Sequence, residues 1–324
     1  MRIVISCGDV NGIGLRCLAG AISMIPRDAS CILAIDASTL RQAAHAYQLP
    51  GTITDDVWQV HDTAITLAPL NATTVVTPGV AGDDASRCAI ASLELARMMC
   101  RDGRADAMVT LPINKHALAS VGWPYPGQTE MVAAGGVSEP LMVLSSGSVR
   151  VALTTVHVPL RDVVSALSVD RIGERIQQLH DHCRRDYGIT SPSIAVLAVD
   201  PHAGDHGTIG TADTELTLPA IAHAREAGMQ VDGPFPADGF FAFGAYRQYD
   251  GILAMYHDQG LIPLKVLAQG GGVNTTAGID IVRTSPDHGT AYQLAAGGLH
   301  IDARSTYEAI TLACTIATQR RSIA

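Results

Sequence analysis

Several things are scarce in this sequence, and each scarcity removes a class of protein. Positive charge is in deficit: 22 Lys and Arg against 31 Asp and Glu leave a formal charge of −9. No basic face can dominate association, which argues against nucleic acid and anionic membranes as partners; an anionic small molecule needs only a local pocket and stays open. Long apolar runs are missing, and none approaches the ~18 residues of a membrane span. Aromatic residues make up only 4% of the 324 residues and charged ones 16%, while hydrophobic residues reach 47%. Such usage suits closely packed helix-on-sheet layers. Paired cysteines are absent too: Cys7, Cys17, Cys31, Cys88, Cys100, Cys183 and Cys314 form no C-x-x-C pair and are odd in number. They read as small core hydrophobes in a reducing compartment. The first residues form a strand-like run and not a charged-then-apolar leader, so a cytoplasmic location is expected.

What is present is a repeated pattern. Ile252–Tyr256 is an apolar run the length of one buried strand, and it stops at His257-Asp258-Gln259-Gly260 with Lys265 beyond. Val149–Val156 likewise runs into His157, and Ile194–Val199 into Asp200-Pro201-His202. Open α/β sheets place their chemistry beyond the carboxyl ends of their strands, so three strands each followed by a histidine point to one site. Strands are also read at Ile3–Cys7, Cys31–Ile35, Val57–Val60, Thr73–Val76 and Asp106–Thr110. Helices are read near 15–24, 38–47, 83–100, 159–167, 170–187, 213–227 (kinked at Pro219) and 304–319. Strands alternating with helices predict an α/β fold. The length exceeds what one core usually serves, so two domains are expected; with no linker visible, the second should be inserted in the first.

The twelve histidines are not equivalent. Those on predicted helices (His45, His180, His182, His223) read as surface or half-buried residues, whereas His157, His202 and His257 share one topological position. Three neutral imidazoles with an open coordination position suit zinc or a similar divalent ion that polarises a substrate oxygen. His206 rivals His202 as a ligand, and Asp238 and Asp258 can orient the imidazoles or act as general bases. Lys115, in the first turn of a helix that Asn114 can cap, stands at the end of another strand; Gly127-Gln128-Thr129-Glu130 is a polar corner that alone says little. The Gly8–Gly14 turn lacks the G-x-G-x-x-G spacing, and no acidic residue follows at a ribose-binding distance. It reads as a tight strand-to-helix turn.

Taken in order, Gly8-Asp9…Gly12-Ile13-Gly14, Pro112-Ile113-Asn114-Lys115, Thr129-Glu130, Thr155…His157…Pro159-Leu160, Pro201-His202-Ala203-Gly204, Pro236-Ala237-Asp238, Tyr256–Gly260 and Arg283-Thr284-Ser285…Asp287–Ala291 resemble the 4-hydroxythreonine-4-phosphate dehydrogenase family over essentially the whole chain. The resemblance implies an α/β/α fold of the isocitrate/isopropylmalate dehydrogenase type, with two domains and a cleft between them. The first domain, on the cofactor side, would take residues 1–125 and 285–324; the second, carrying metal, substrate and dimer contacts, 126–284. It further implies a homodimer with the active site at the subunit interface, and a divalent metal (zinc first, magnesium or cobalt next) on His157, His202 and His257, one of them donated across that interface. Thr129, Lys265, Asn274 and Arg283 match the family's substrate contacts, and His288-Gly289-Thr290-Ala291 matches the loop that holds NAD in this fold. Gln128, at the position where the family usually has histidine, is counted with them as a substrate-binding candidate; Val10 and Leu15 replace usual prolines, and Leu111 a usual glycine.

The expected reaction is NAD-dependent, metal-assisted oxidation of the secondary alcohol of 4-phosphohydroxy-L-threonine. The 3-keto acid then decarboxylates to 3-amino-2-oxopropyl phosphate, in pyridoxal phosphate biosynthesis. Lys115, Asp238 and Asp258 are the candidate bases. Alternatives are the same chemistry on 4-phospho-erythronate, 4-phospho-threonate or an aromatic dihydrodiol carboxylate, and, from another class, a non-oxidative metal hydrolase or aldolase.

Overall fold

The computed structural model describes residues 1–70, 72–136, 139–298 and 300–323. Its strands are, in chain order, β1 (Arg2–Ser6), β2 (Ser30–Ala34), β3 (Thr52–Ile53), β4 (Val57–Val60), β5 (Thr63–Ala68), β6 (Ala107–Thr110), β7 (Leu141–Ser146), β8 (Val149–Leu153), β9 (Ser193–Leu197), β10 (Gln230–Phe235), β11 (Gly251–Ala254), β12 (Val273–Ala277) and β13 (Arg283–Pro286). The chain folds as two compact units, one of Met1–Val137 with Ile279–Arg321, the other essentially Ser138–Gly278.

The first unit orders its strands β13-β6-β1-β2-β5-β4-β3. The five from β13 to β5 are parallel, and β4 and β3 continue antiparallel. In β1, Ile3, Val4 and Ile5 are all fully buried, as a parallel strand covered on both faces requires. Thr73–Val76, expected as a strand, is none. Its backbone is held by side chains instead: Val76 N donates to Gln42 Oε1 and Thr77 N to Asn11 Oδ1. The strand here is Thr63–Ala68, whose alternation is half-exposed.

The unit boundaries fall at 137/138 and 278/279, not at 125/126 and 284/285. Two contacts explain the shift. Arg97, on the helix Asp83–Arg101, donates to Val132 O and Ala134 O, which ties the helix Gln128–Ala133 to the first unit. Arg283 and Thr284 pair in parallel with Met108 and Val109 of β6. Gln128, Thr129 and Arg283 therefore belong to the first unit.

The second unit orders its strands β10-β9-β11-β8-β7-β12, parallel from β10 to β8 and antiparallel beyond. Period-two alternation sends neighbours to opposite layers. Ala152 and Leu253 pack with Ile172, Ile176 and Leu179 of the helix Val169–Tyr187; Val151 and Ile252 pack with Leu261 and Leu264 of the helix His257–Ala268. That second helix lies very close to the sheet. A Cβ on Gly260 would sit 2.6 Å from Val151 Cγ1 and 2.9 Å from Ala254 Cβ, so glycine is required there. Expected helix 159–167 resolves into two short 3₁₀ turns, Leu160–Asp162 and Val164–Ala166. Pro219 marks a change of winding, as expected: it lacks an N–H, and the chain makes a π-turn over Asp213–Thr217 before the helix Leu218–Glu226. No helix among the described residues is long and apolar enough to cross a membrane.

Candidate active site

In the second unit, β8, β9 and β11 are parallel neighbours, so their carboxyl ends meet. Beyond those ends the chain stays stitched: Thr154 N donates to Ala254 O at 2.8 Å, and both Thr155 N and Thr155 Oγ1 donate to Met255 O. This brings His157 and His257 out side by side, with ring centroids 6.0 Å apart. His257 opens its helix, and its Nδ1 lies 2.8 Å from Asp258 Oδ1. That bond orients the ring and directs Nε2 away from the carboxylate, the arrangement a ligating imidazole needs. Gln259 fixes the same turn by accepting from Met255 N and donating to Ala198 O.

His202 leaves β9 differently. Residues His202, Ala203, Gly204, Asp205 and His206 all have positive φ (54°, 53°, 79°, 42° and 54°), one left-handed turn after another. For L-residues this conformation costs about 1–2 kcal/mol each, so the surroundings must impose it. Two carboxylates do so. Buried Asp213 accepts from Val199 N and Asp200 N, both at 2.9 Å, and Asp200 Oδ2 accepts from Ala212 N at 3.1 Å. His202 lines a cavity of ≈ 270 Å³ with Asp200, Asp238, Tyr256 and Gln259. Asp238 sits in the first turn of the helix Ala237–Ala242. Among the described residues, no three His, Cys, Asp or Glu side chains gather closely enough to hold a metal. One chain thus brings His157 and His257 side by side, while His202 lines the cavity with Tyr256 and Gln259. Lys265 is exposed two turns after His257, and Asn274, on β12, has a buried Oδ1 with no hydrogen-bond partner.

In the first unit, Arg283 is 3% exposed and reaches three side chains. Its Nε and Nη2 donate to Thr110 Oγ1 at 3.0 and 2.7 Å, Nη2 to Gln128 Oε1 at 2.8 Å, and Nη1 to Thr129 Oγ1 at 3.3 Å. Burial pulls the guanidinium down to about 10, with Glu130 opposing, so it remains a cation at neutral pH. Asn114 Oδ1 caps the helix Lys115–Ser120 by accepting from Ala117 N, as expected, and Lys115 is exposed. A Cβ on Gly127 would lie 2.8 Å from Glu130 Oε2 and 3.6 Å from Lys115 Nζ.

The Gly8–Gly14 turn is the support of the His288–Ala291 loop in the same unit. Ile13 N donates to Thr290 O at 3.0 Å, and a Cβ on Gly12 would lie 2.8 Å from that oxygen. Tyr292 Oη donates to Asp9 Oδ2, while Asn11 N donates to Asp9 Oδ1. Burial pushes the Asp9 carboxyl up, and these two donors partly offset it. His288 Nδ1 donates to Gly289 O, and its Nε2 is buried with no partner.

Compared with known proteins, residues 27–313 match the family model described as Pyridoxal phosphate biosynthetic protein PdxA. The chain belongs to the PdxA family. A 4-hydroxythreonine-4-phosphate dehydrogenase of Bacteroides thetaiotaomicron is 39% identical over 306 residues, covering 92% of this chain and 84% of that protein. The crystal structure of a 4-hydroxythreonine-4-phosphate dehydrogenase from Klebsiella pneumoniae superposes with a TM-score of 0.83 at 32% identity, covering 98% of this chain and 99% of that one. A terephthalate 1,2-cis-dihydrodiol dehydrogenase from Burkholderia xenovorans shares the fold, with a TM-score of 0.65 at 24% identity and coverage of 97% and 98%.

Within the PdxA family the chain is an oxidoreductase of pyridoxal phosphate biosynthesis. Its departures at Val10, Leu15 and Leu111 are all fully buried. Gln128 is different, because its amide is bonded to Arg283. Asp9, Tyr292, Thr110, Asp200 and Asp213 were not among the candidates read from sequence. Asp9, Thr110 and Asp200 carried a signal, their places at the ends of strands; Asp213 and Tyr292 show their roles only through their contacts.

Proposed function

We propose that the protein catalyses NAD-dependent, divalent-metal-assisted oxidation of 4-phosphohydroxy-L-threonine to its 3-keto acid, which loses CO2 to give 3-amino-2-oxopropyl phosphate. The observation that carries this reading is the His157–His257 pair beyond adjacent parallel strands. Two imidazoles, one oriented by Asp258, are a donor set suited to zinc, with magnesium or cobalt as alternatives. In this reading the third ligand, His202, comes from a second copy, in a cytoplasmic homodimer whose site draws on both chains; that no three such side chains gather among the described residues of one chain supports this. A divalent ion supplies positive charge that favours loss of the hydroxyl proton and, later, of CO2.

The chain's own groups bind, orient and move protons. Arg283 and Thr129 grip an anionic group of the substrate, to which a guanidinium offers a planar fork. Lys265 adds a point charge, and the unpartnered Oδ1 of Asn274 accepts from a substrate donor. His288–Ala291 would hold NAD; the Nε2 of His288 is buried there with no hydrogen-bond partner. The hydroxyl proton would go to a base among Lys115, Asp238 and Asp258, and NAD, when bound, would supply the hydride acceptor. Asp258 is engaged with its neighbour His257, and Asp238 shares a cavity with His202, so both carboxylates stand beside the imidazoles.

The test is NADH formation by purified, zinc-replete protein on 4-phosphohydroxy-L-threonine, 4-phospho-erythronate and 4-phospho-threonate. Turnover on the amino acid is expected. Turnover only on a sugar acid would keep the chemistry and reassign the substrate. A calorimetric titration showing no NAD binding would favour a non-oxidative metal enzyme instead.

A further inference from the structure

Gln128 is the first residue of its helix, buried at 8% exposure, and both ends of its amide are in use. Nε2 donates to Leu111 O at 3.0 Å, and Oε1 accepts from Arg283 Nη2 at 2.8 Å. The Leu111 carbonyl can only accept, so it fixes which way round the amide lies and turns the oxygen to the guanidinium. Together with Thr110, which takes two N–H groups, Gln128 holds the Nε/Nη2 edge of Arg283. The bond from Nη1 to Thr129, at 3.3 Å, is longer than those from Nε and Nη2 to Thr110 and Gln128, so it is the more easily exchanged for an incoming anion.

We propose that Gln128 is a positioning residue that does not touch substrate: it fixes the Arg283 fork and makes the anion grip insensitive to pH. The proposal rests on the reading of Arg283 as the anion grip. An amide and two threonine hydroxyls have no proton to gain or lose between pH 5.5 and 8.5, whereas an imidazole in the same place changes charge near pH ~6.5. Other charged groups face this turn. Glu130 lies on the same helix, Arg283 on β13, Lys115 on the preceding helix beside Gly127, and Arg97 reaches the helix end from Asp83–Arg101. Wild type and position-128 variants share all four, so their titrations, and that of phosphate itself, cancel in a ratio of affinities.

The experiment measures the dissociation constant of inorganic phosphate for the full-length protein by calorimetry, from pH 5.5 to 8.5. Gln128→Ala should weaken phosphate about tenfold, the worth of one hydrogen bond to a charged group. Gln128→His should bind more tightly, relative to wild type, as pH falls through the imidazole range, by up to about tenfold per pH unit where one proton is taken up with the anion. Thermal melts confirm that each variant is folded, and Gln128→Met, near the same volume, serves if alanine is not. A flat ratio for Gln128→His, or wild-type affinity in both Gln128→Ala and Gln128→Met, overturns the proposal. Arg283→Met separates the two layers. If it binds phosphate as wild type does, the reading of Arg283 fails and the proposal falls with it. If it loses phosphate while the position-128 variants do not, only the role of Gln128 is lost.

Discussion

Asp9 is buried among groups that do not neutralise it, and its bond from Tyr292 carries much of the cost of keeping it there. A carboxyl whose folded pKa is raised binds a proton more readily in the native state than in the unfolded one. Its contribution to stability is therefore favourable at low pH and is lost as pH rises through the folded value. Tyr292→Phe removes a donor that lowers that value, so the penalty grows. The variant should lose about 1–3 kcal/mol at pH 8, less at pH 5, and weaken NAD binding by loosening Thr290. Thermal melts at the two pH values and a calorimetric NAD titration check this; equal losses at both pH values would rule out the carboxylate as the cause. Neither residue was legible as a partner. Asp9 stands next to a glycine turn that resembles a phosphate loop and is not one, and nothing local to Tyr292 announces a bond 283 positions away.

At the scale of elements, the three strands that precede His157, His202 and His257 were visible because burial on both faces writes a continuous apolar run. The path after β9 was not. Pro201–Gly207 contains ordinary residues, and their left-handed conformation is imposed by Asp200 and Asp213 from outside the turn. Gly210 is the exposed weakness of this device, since a Cβ there would lie 2.2 Å from Asp200 Oδ2. Gly210→Ala should push that carboxylate off Ala212 N and release the turn. Zinc affinity, measured by competition with a chelating dye, is expected to fall at least tenfold while far-UV circular dichroism stays unchanged. Unaltered zinc affinity would mean the turn tolerates the loss of Asp200.

At the scale of the whole molecule, the inserted second domain was legible from length and the missing linker. Its edges were not, because Gln128–Ala133 and β13 declare their allegiance only through Arg97 and β6. The proposal that His202 is supplied by a second copy makes a sharper prediction. His202→Ala and His257→Ala should each abolish turnover and remain folded. Mixed and re-equilibrated, the two variants should recover about a quarter of wild-type activity, because half the dimers are then hybrids with one intact site. No recovery would place all three imidazoles in one chain.

The interrupted first unit also fixes an order of manufacture. Residues 139–278 are contiguous, so the second unit has every strand outside the ribosome while the first still lacks β13 and the helix Arg304–Ser322. That helix buries Ala309, Ile310, Ala313, Ile316 and Ala317. At ordinary translation rates, on the order of ten seconds pass between the last residue of β6 and the first of β13. For that interval the older half of the chain lacks β13 and the helix that complete its core.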